Sequence, residues 1–209
     1  MILYGFAFSS ASYRVRIALA LKNVSATQVN VKLREGEHRQ AEYLALNPQG
    51  FVPALRLDDG RVLTQSAAII EYLEETIPEP RLLPADPALR AEVRALCQLV
   101  ACDIHPLNNL RVLRYLEGTL GLDQGARDTW YRHWVQAGFE ALERFLVRTA
   151  GRFCVGDSPS MADVYLVPQV FNARRFASDL ASFPRIVAID AACRELPAFA
   201  GAAPERQPA

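Results

Sequence analysis

No CxxC pair and no cysteine–histidine spacing suited to zinc occurs among the four cysteines, Cys97, Cys102, Cys154 and Cys193, so no metal centre is expected. Scattered single thiols in a chain of 209 residues fit a reducing cytosol and read as core or surface thiols. No sign of charge predominates: Lys and Arg total 23, as do Asp and Glu. A general nucleic-acid binder needs a basic face and a polybasic membrane anchor needs a local excess, so neither is expected, although a small basic pocket fits within a neutral total. No run of about 18 apolar residues free of charge is present, so no spanning helix is expected. Met1-Ile2-Leu3-Tyr4 enters patterned sequence directly, with no charged leader before an apolar stretch, and no secretory signal is expected. What the chain does have is apolar content, 51% hydrophobic, enough for a sizeable core in one or two domains.

The pattern divides the chain in two. Residues 2–5 suit a strand, 12–21 a helix with serines before it as cap candidates, and 27–31 a strand. A short helix over 39–46 stops before Asn47-Pro48. Residues 54–57 and 61–64 form a hairpin around Asp58-Asp59-Gly60, and Ser66 is expected to cap a helix running to 76. This mixed order predicts a small α/β domain over residues 1–79. Pro78, Pro80, Pro84 and Pro87 mark a linker at 80–87. Residues 88–209 read as all helical: 88–116 with a kink at Pro106, 126–149, 160–176 with a kink at Pro168, and 184–196, followed by a loose tail from 202.

Several segments carry chemistry. Ser9 and Ser10 stand between the first strand and first helix, where unpaired N–H groups favour an anion and a hydroxyl can donate to a thiolate, lowering its pKa. Plain capping explains the same serines. A cis Val52-Pro53 at a strand start would leave Val52's backbone groups available to an extended peptide, although an ordinary strand-opening proline reads the same way in sequence. Gln65-Ser66 opens a helix suited to a carboxylate. Ser160 followed by Asp163 resembles a capping box and is assigned to folding.

Four segments together, residues 9–19 (SSASYRVRIAL), 47–55 (NPQGFVPAL), 65–73 (QSAAIIEYL) and 156–163 (GDSPSMAD), resemble a glutathione S-transferase, and the first resembles the zeta class, which includes maleylacetoacetate and maleylpyruvate isomerases. Residues 102–111 (CDIHPLNNLR) resemble the bacterial maleylpyruvate isomerases. The resemblance implies an α/β plus all-α fold, a thioredoxin-like glutathione-binding domain followed by a helical bundle, in a cytoplasmic homodimer. It implies that Ser9 or Ser10 faces the glutathione sulfur and that Ser12, Arg14, His38, Gln49, Val52, Pro53, Gln65 and Ser66 hold the tripeptide. From the second domain it implies His105, Asn109, Leu110 and Arg111 on glutathione or substrate, with Arg111, Arg174 and Arg175 as carboxylate-binding cations. Charged residues on long helices are commonly just solvated, and Arg90, Arg94, Arg127 and Arg148 are read so.

The sequence departs from the zeta pattern at Ala11, where cysteine is usual, and at Phe8, where these isomerases commonly have arginine. The expected activity is glutathione-dependent cis–trans isomerisation of a maleyl dicarboxylate in aromatic catabolism. The alternatives are a transferase that conjugates or dehalogenates a small electrophile, and a non-catalytic binding protein of the same fold. A thiol–disulfide oxidoreductase lacks its nucleophile, since no cysteine precedes Cys97.

Overall fold

The structure, a computed structural model, describes residues 1–207 and divides into two compact units, Met1–Arg81 with the stretch from Glu195, and Leu82–Arg194. In the first unit the order is β1 (Ile2–Gly5), α1 (Ser10–Leu21), β2 (Thr27–Asn30), a 3-10 turn (Glu37–Arg39), α2 (Ala41–Leu46), β3 (Ala54–Arg56), β4 (Val62–Thr64) and α3 (Ser66–Thr76). The strands form one mixed sheet in the order β2-β1-β3-β4, with β1 and β2 parallel and the other pairs antiparallel. This is the expected α/β layer. Its core joins Leu3 and Leu55 of the sheet to Val15, Ile17 and Ala18 of α1 and Ile69, Ile70 and Leu73 of α3, all buried.

The first helix is buried from Ser10 to Leu19, its polar residues included. At its end the Lys22 ammonium donates to Glu74 Oε2 (2.5 Å), the Ile77 carbonyl (2.7 Å) and the Pro80 carbonyl (2.8 Å). A buried cation is tolerated when every donor finds an oxygen, and here the partners tie α1 to the end of α3.

The loose tail expected over 202–209 is instead structured as far as residue 207, its last two residues lying outside the described ones, and the stretch grouped with the helical half by sequence packs on the first unit. Helix α9 (Pro197–Ala202) and a 3-10 turn (Pro204–Arg206) form there. Phe199 and Ala202 are buried; the Tyr13 hydroxyl donates to the Phe199 carbonyl at 3.4 Å and Arg16 Nε to the Ala202 carbonyl at 2.9 Å. Few apolar residues suffice because α1 supplies buried donors for the carbonyls at the end of α9. Burial pulls the Arg16 guanidinium down to about 10, so it still carries its charge at neutral pH.

The second unit is helical: α4 (Pro87–Gln98), α5 (Leu110–Gly118), α6 (Gln124–Thr149), α7 (Met161–Arg175) and α8 (Pro184–Arg194). The single helix expected over 88–116 is broken. A π turn (Leu99–Ile104) follows α4, with the His105 N–H reaching five residues back to the Val100 carbonyl at 2.9 Å. A 3-10 turn (Pro106–Asn108) comes next, and Asn109 caps a new helix. Asn108 and Arg111 therefore do not share one helix face. Gly138 on α6 admits this irregular turn, because a Cβ there would overlap the Ile104 side chain. Helix α7 is nearly all buried and passes Pro168 without ending. No described helix is long and apolar enough to cross a membrane.

Candidate functional site

Strand register gathers the first unit's site residues. Tyr4 pairs with Ala54, and Ala54 with Thr64. Chain leaving β1 through Phe6, chain entering β3 through Val52-Pro53 and chain leaving β4 into Gln65-Ser66 therefore share one end of the sheet. Both α1 and α3 begin at that end, and neither has an acidic residue in its first turn. Two unneutralised helix N-termini make the surface anion-seeking.

Ser9 is the N-cap of α1: its Oγ accepts from the Ser12 N–H at 3.2 Å, and its side chain is partly exposed. Accepting that bond leaves the hydroxyl proton to donate outward. Ser10 lies inside the first turn and is 4% exposed. Ser12 and Arg14, expected among the tripeptide's ligands, are turned inward at 0% and 1% exposure. The Ser12 Oγ accepts from the Phe6 N–H at 3.3 Å, clipping the helix to the strand end. The helix periodicity that brings Ser9 to the surface carries these two into the core.

Val52-Pro53 is cis, and β3 begins only at Ala54, so Val52 lies outside the ladder. The loop before it is anchored from within. Asn47 Nδ2 donates to the Phe51 carbonyl at 2.8 Å, the Tyr43 hydroxyl donates to the same oxygen at 2.6 Å, and Asn47 Oδ1 accepts from the Gln49 N–H at 3.1 Å. Burial raises the Tyr43 phenol well above its usual range, keeping it a donor. Gln65, not Ser66, is the N-cap residue of α3; it has φ +66° and makes no side-chain cap bond. Its Nε2 donates to Gln49 Oε1 at 2.8 Å, which joins two of the expected ligands. A non-glycine residue at positive φ stores strain of about 1–3 kcal/mol, which persists only where the surroundings impose it.

His38 is buried on the 3-10 turn, with its carbonyl against Gly50. Gly50 has φ +63°, and a Cβ there would stand 2.9 Å from the His38 oxygen and 3.3 Å from Leu44 Cδ2. Gly50→Ala is therefore expected to lower stability by about 2 kcal/mol in urea titration and to displace both His38 and Gln49.

In the helical unit, His105 joins the π and 3-10 turns, and Asn109 Oδ1 accepts from the Arg111 N–H at 3.1 Å as the cap of α5. Leu110 and Arg111 are exposed. Arg174 and Arg175 separate in role. Arg174 donates to Asp190 Oδ2 at 2.6 Å, pinning α7 to α8; burial raises that carboxyl, against the pull of Arg174. Arg174, expected among the substrate cations, carries this ion pair on a side chain that stays 40% exposed. Arg175 is exposed and lies 5.8 Å from the Phe176 ring centroid. Phe176 stacks on the buried Tyr131 at 3.7 Å. The Tyr131 carbonyl accepts from Asn108 Nδ2 at 3.2 Å, and its side chain hydrogen-bonds Asn172. Tyr131 thereby links the turn beside His105 to the helix end that carries Arg175.

Residues 8–76 match the family described as glutathione S-transferase, N-terminal domain. The maleylpyruvate isomerase of a Ralstonia species is 53% identical over 211 residues, covering 100% of this chain and 99% of that protein. The chain belongs to the glutathione S-transferase family, in its zeta class. A holo structure of maleylpyruvate isomerase, a bacterial zeta-class glutathione S-transferase, superposes with TM-score 0.97 at 52% identity, covering 100% and 99% of the two chains. A maleylacetoacetate isomerase of Methylobacterium extorquens, solved with malonate and glutathione bound, has TM-score 0.96 at 42% identity, covering 100% and 98%.

As a zeta-class transferase the chain has supporting residues that sequence reasoning passed over. Asn47 was read only as a helix stop, yet its side chain holds the loop on both sides of Gln49. Its burial at 1% could not be anticipated from an Asn-Pro pair, which reads as a surface turn. Tyr131 carried no signal either, because an aromatic at helical spacing reads as core.

Proposed function

We propose that this zeta-class chain catalyses glutathione-dependent cis–trans isomerisation of a maleyl dicarboxylate, maleylpyruvate or maleylacetoacetate. The observation that carries the reading is the meeting, at one sheet end, of two acid-free helix N-termini and the partly exposed Ser9 cap. The donor set fits glutathione. Val52's backbone, outside the ladder, suits an extended tripeptide; the start of α3 at Gln65-Ser66 suits its γ-glutamyl carboxylate; Ser9 suits its sulfur.

Bound glutathione supplies a thiolate that adds reversibly to the cis double bond, so that the bond rotates and re-forms as trans. Ser9 donates its hydroxyl hydrogen to the sulfur, favouring the ionised form, and the start of α1 adds partial positive charge. Gln49, held against Gln65, keeps the loop in place. On the helical unit the exposed guanidiniums of Arg111 and Arg175 suit carboxylates and the charge that builds up in the transition state. The reading places the protein in the cytoplasm, in aromatic-ring catabolism, and as a homodimer.

The test follows conversion of maleylpyruvate and of maleylacetoacetate to the fumaryl isomers with and without glutathione, in the native protein and in Arg175→Ala. Glutathione-dependent conversion is expected, with KM raised about tenfold in the variant. Equal rates with and without glutathione would remove the isomerase reading. A conjugating transferase is the second reading, favoured by the exposed aromatic ring of Phe8 beside Ser9.

A further inference from the structure

Arg16 is a buried cation that no carboxylate of the described residues answers. Its side chain is 5% exposed. Nε donates to the Ala202 carbonyl and Nη2 to the Ala7 carbonyl, each at 2.9 Å. These bonds use two of a guanidinium's five N–H donors, and the described residues give Nη1 no acceptor. Lys22, at the end of the same helix, has the arrangement a buried cation ordinarily takes, with the Glu74 carboxylate and two carbonyls around it. Burial without a counter-ion is costly, and Arg16 still carries its charge at neutral pH.

The Arg16 side chain lines a small pocket of the first unit, between the end of β1, strand β2 and Gln207. Among the described residues the lining includes this cation and no acid. Leu3, Ala7 and Val29 supply apolar wall. Asn30, the last residue of β2, lines it too, and its Oδ1 is buried without a hydrogen-bond partner. The Asn30 amide can therefore turn Nδ2 into the pocket without giving up a bond. The enclosed space admits roughly one or two water-sized groups.

We propose that this pocket binds the carboxylate group of a short-chain monocarboxylic acid, with Arg16 Nη1 and the Asn30 amide as its donors. The two oxygens of a carboxylate match the space and the planar edge of the guanidinium. One cation balances a single negative charge, and the second charge of a phosphate would be left without a partner. The bound anion holds in place the guanidinium that joins the Ala7 carbonyl, just ahead of α1, to the Ala202 carbonyl at the end of α9. The site is separate from the one assigned to glutathione, and the inference does not depend on that assignment.

The test uses sodium acetate, with sodium chloride at equal ionic strength and neutral acetamide as controls, on the native protein and Asn30→Leu. Acetate at about ten times its Kd is expected to raise the native Tm by about 3 °C, and neither control should do so. Nuclear magnetic resonance of the native protein should show the Arg16 Nε–H and the Asn30 side-chain amide moving together, with one saturating curve. Asn30→Leu should weaken acetate about tenfold and leave glutathione uptake unchanged. Acetate that leaves these two resonances unmoved, or that raises the Tm of Asn30→Leu as much as that of the native protein, overturns the inference. So does an equal rise with chloride or acetamide.

Discussion

Asp163→Ala is expected to destabilise the protein by about 3–5 kcal/mol, with a fall in Tm of about 10 °C. The Asp163 carboxylate is 0% exposed. It accepts from the Ser160 N–H at 2.7 Å, the Ser160 hydroxyl at 2.8 Å, the Cys154 N–H at 2.8 Å and, more weakly, the Cys193 thiol at 3.7 Å. Truncation removes the acceptor and leaves two buried backbone donors without a partner, each at a cost of about 1–3 kcal/mol. Ser160→Ala removes the hydroxyl's bond to Asp163 and its cap on the first turn but leaves the carboxylate's backbone partners in place, and should cost about 1 kcal/mol. Urea denaturation of the two variants separates these magnitudes; an Asp163→Ala midpoint no lower than that of Ser160→Ala would refute the account. Burial pushes the Cys154 and Cys193 thiols well above their usual range, so these neighbours act as packing groups and not as nucleophiles.

Ser9→Ala should lower turnover at neutral pH by about 100-fold, with the protein still folded. The hydroxyl favours the ionised thiol, so its loss raises the thiol's pKa. Less thiolate is present at neutral pH, and activity in the variant should climb as pH rises towards the ordinary thiol range. Ser10 is buried in the first turn of α1, so Ser10→Ala should leave the pH profile in place. A pH profile that moves with Ser10→Ala and stays put with Ser9→Ala would reverse the assignment. Thiolate absorbance of bound glutathione, read across pH, gives the same answer independently of turnover.

Much of the layer order is legible in the chain because hydrophobic period and caps act locally. The boundaries of β1 and the end of α3 coincide with the sequence reading, and the box at Ser160 and Asp163 forms where its spacing predicts. The break after α4 is not legible. A π turn depends on which carbonyl an N–H finds, and here the choice depends on the space that Gly138 leaves for Ile104. The pairing of adjacent candidates is illegible for a related reason. Arg174 and Arg175 have the same side chain, and only the tertiary structure brings the first to the buried Asp190 on α8. Ser9 and Ser10 differ by one residue, and the direction in which α1 buries its face separates them.

By itself the amino-acid sequence determined the α/β-then-helical order, the two helix starts without acid and the family. These follow from period, capping chemistry and motif, which operate over a few residues at a time. Tertiary structure decided which of the marked side chains stay at the surface, Ser9 over Ser12 and Arg14, and that Arg174 pairs with the buried Asp190. It also decided that the last stretch of chain docks on α1. Burial and hydrogen-bond pairing join residues far apart in the chain, and a side chain's availability for chemistry is set by those distant partners.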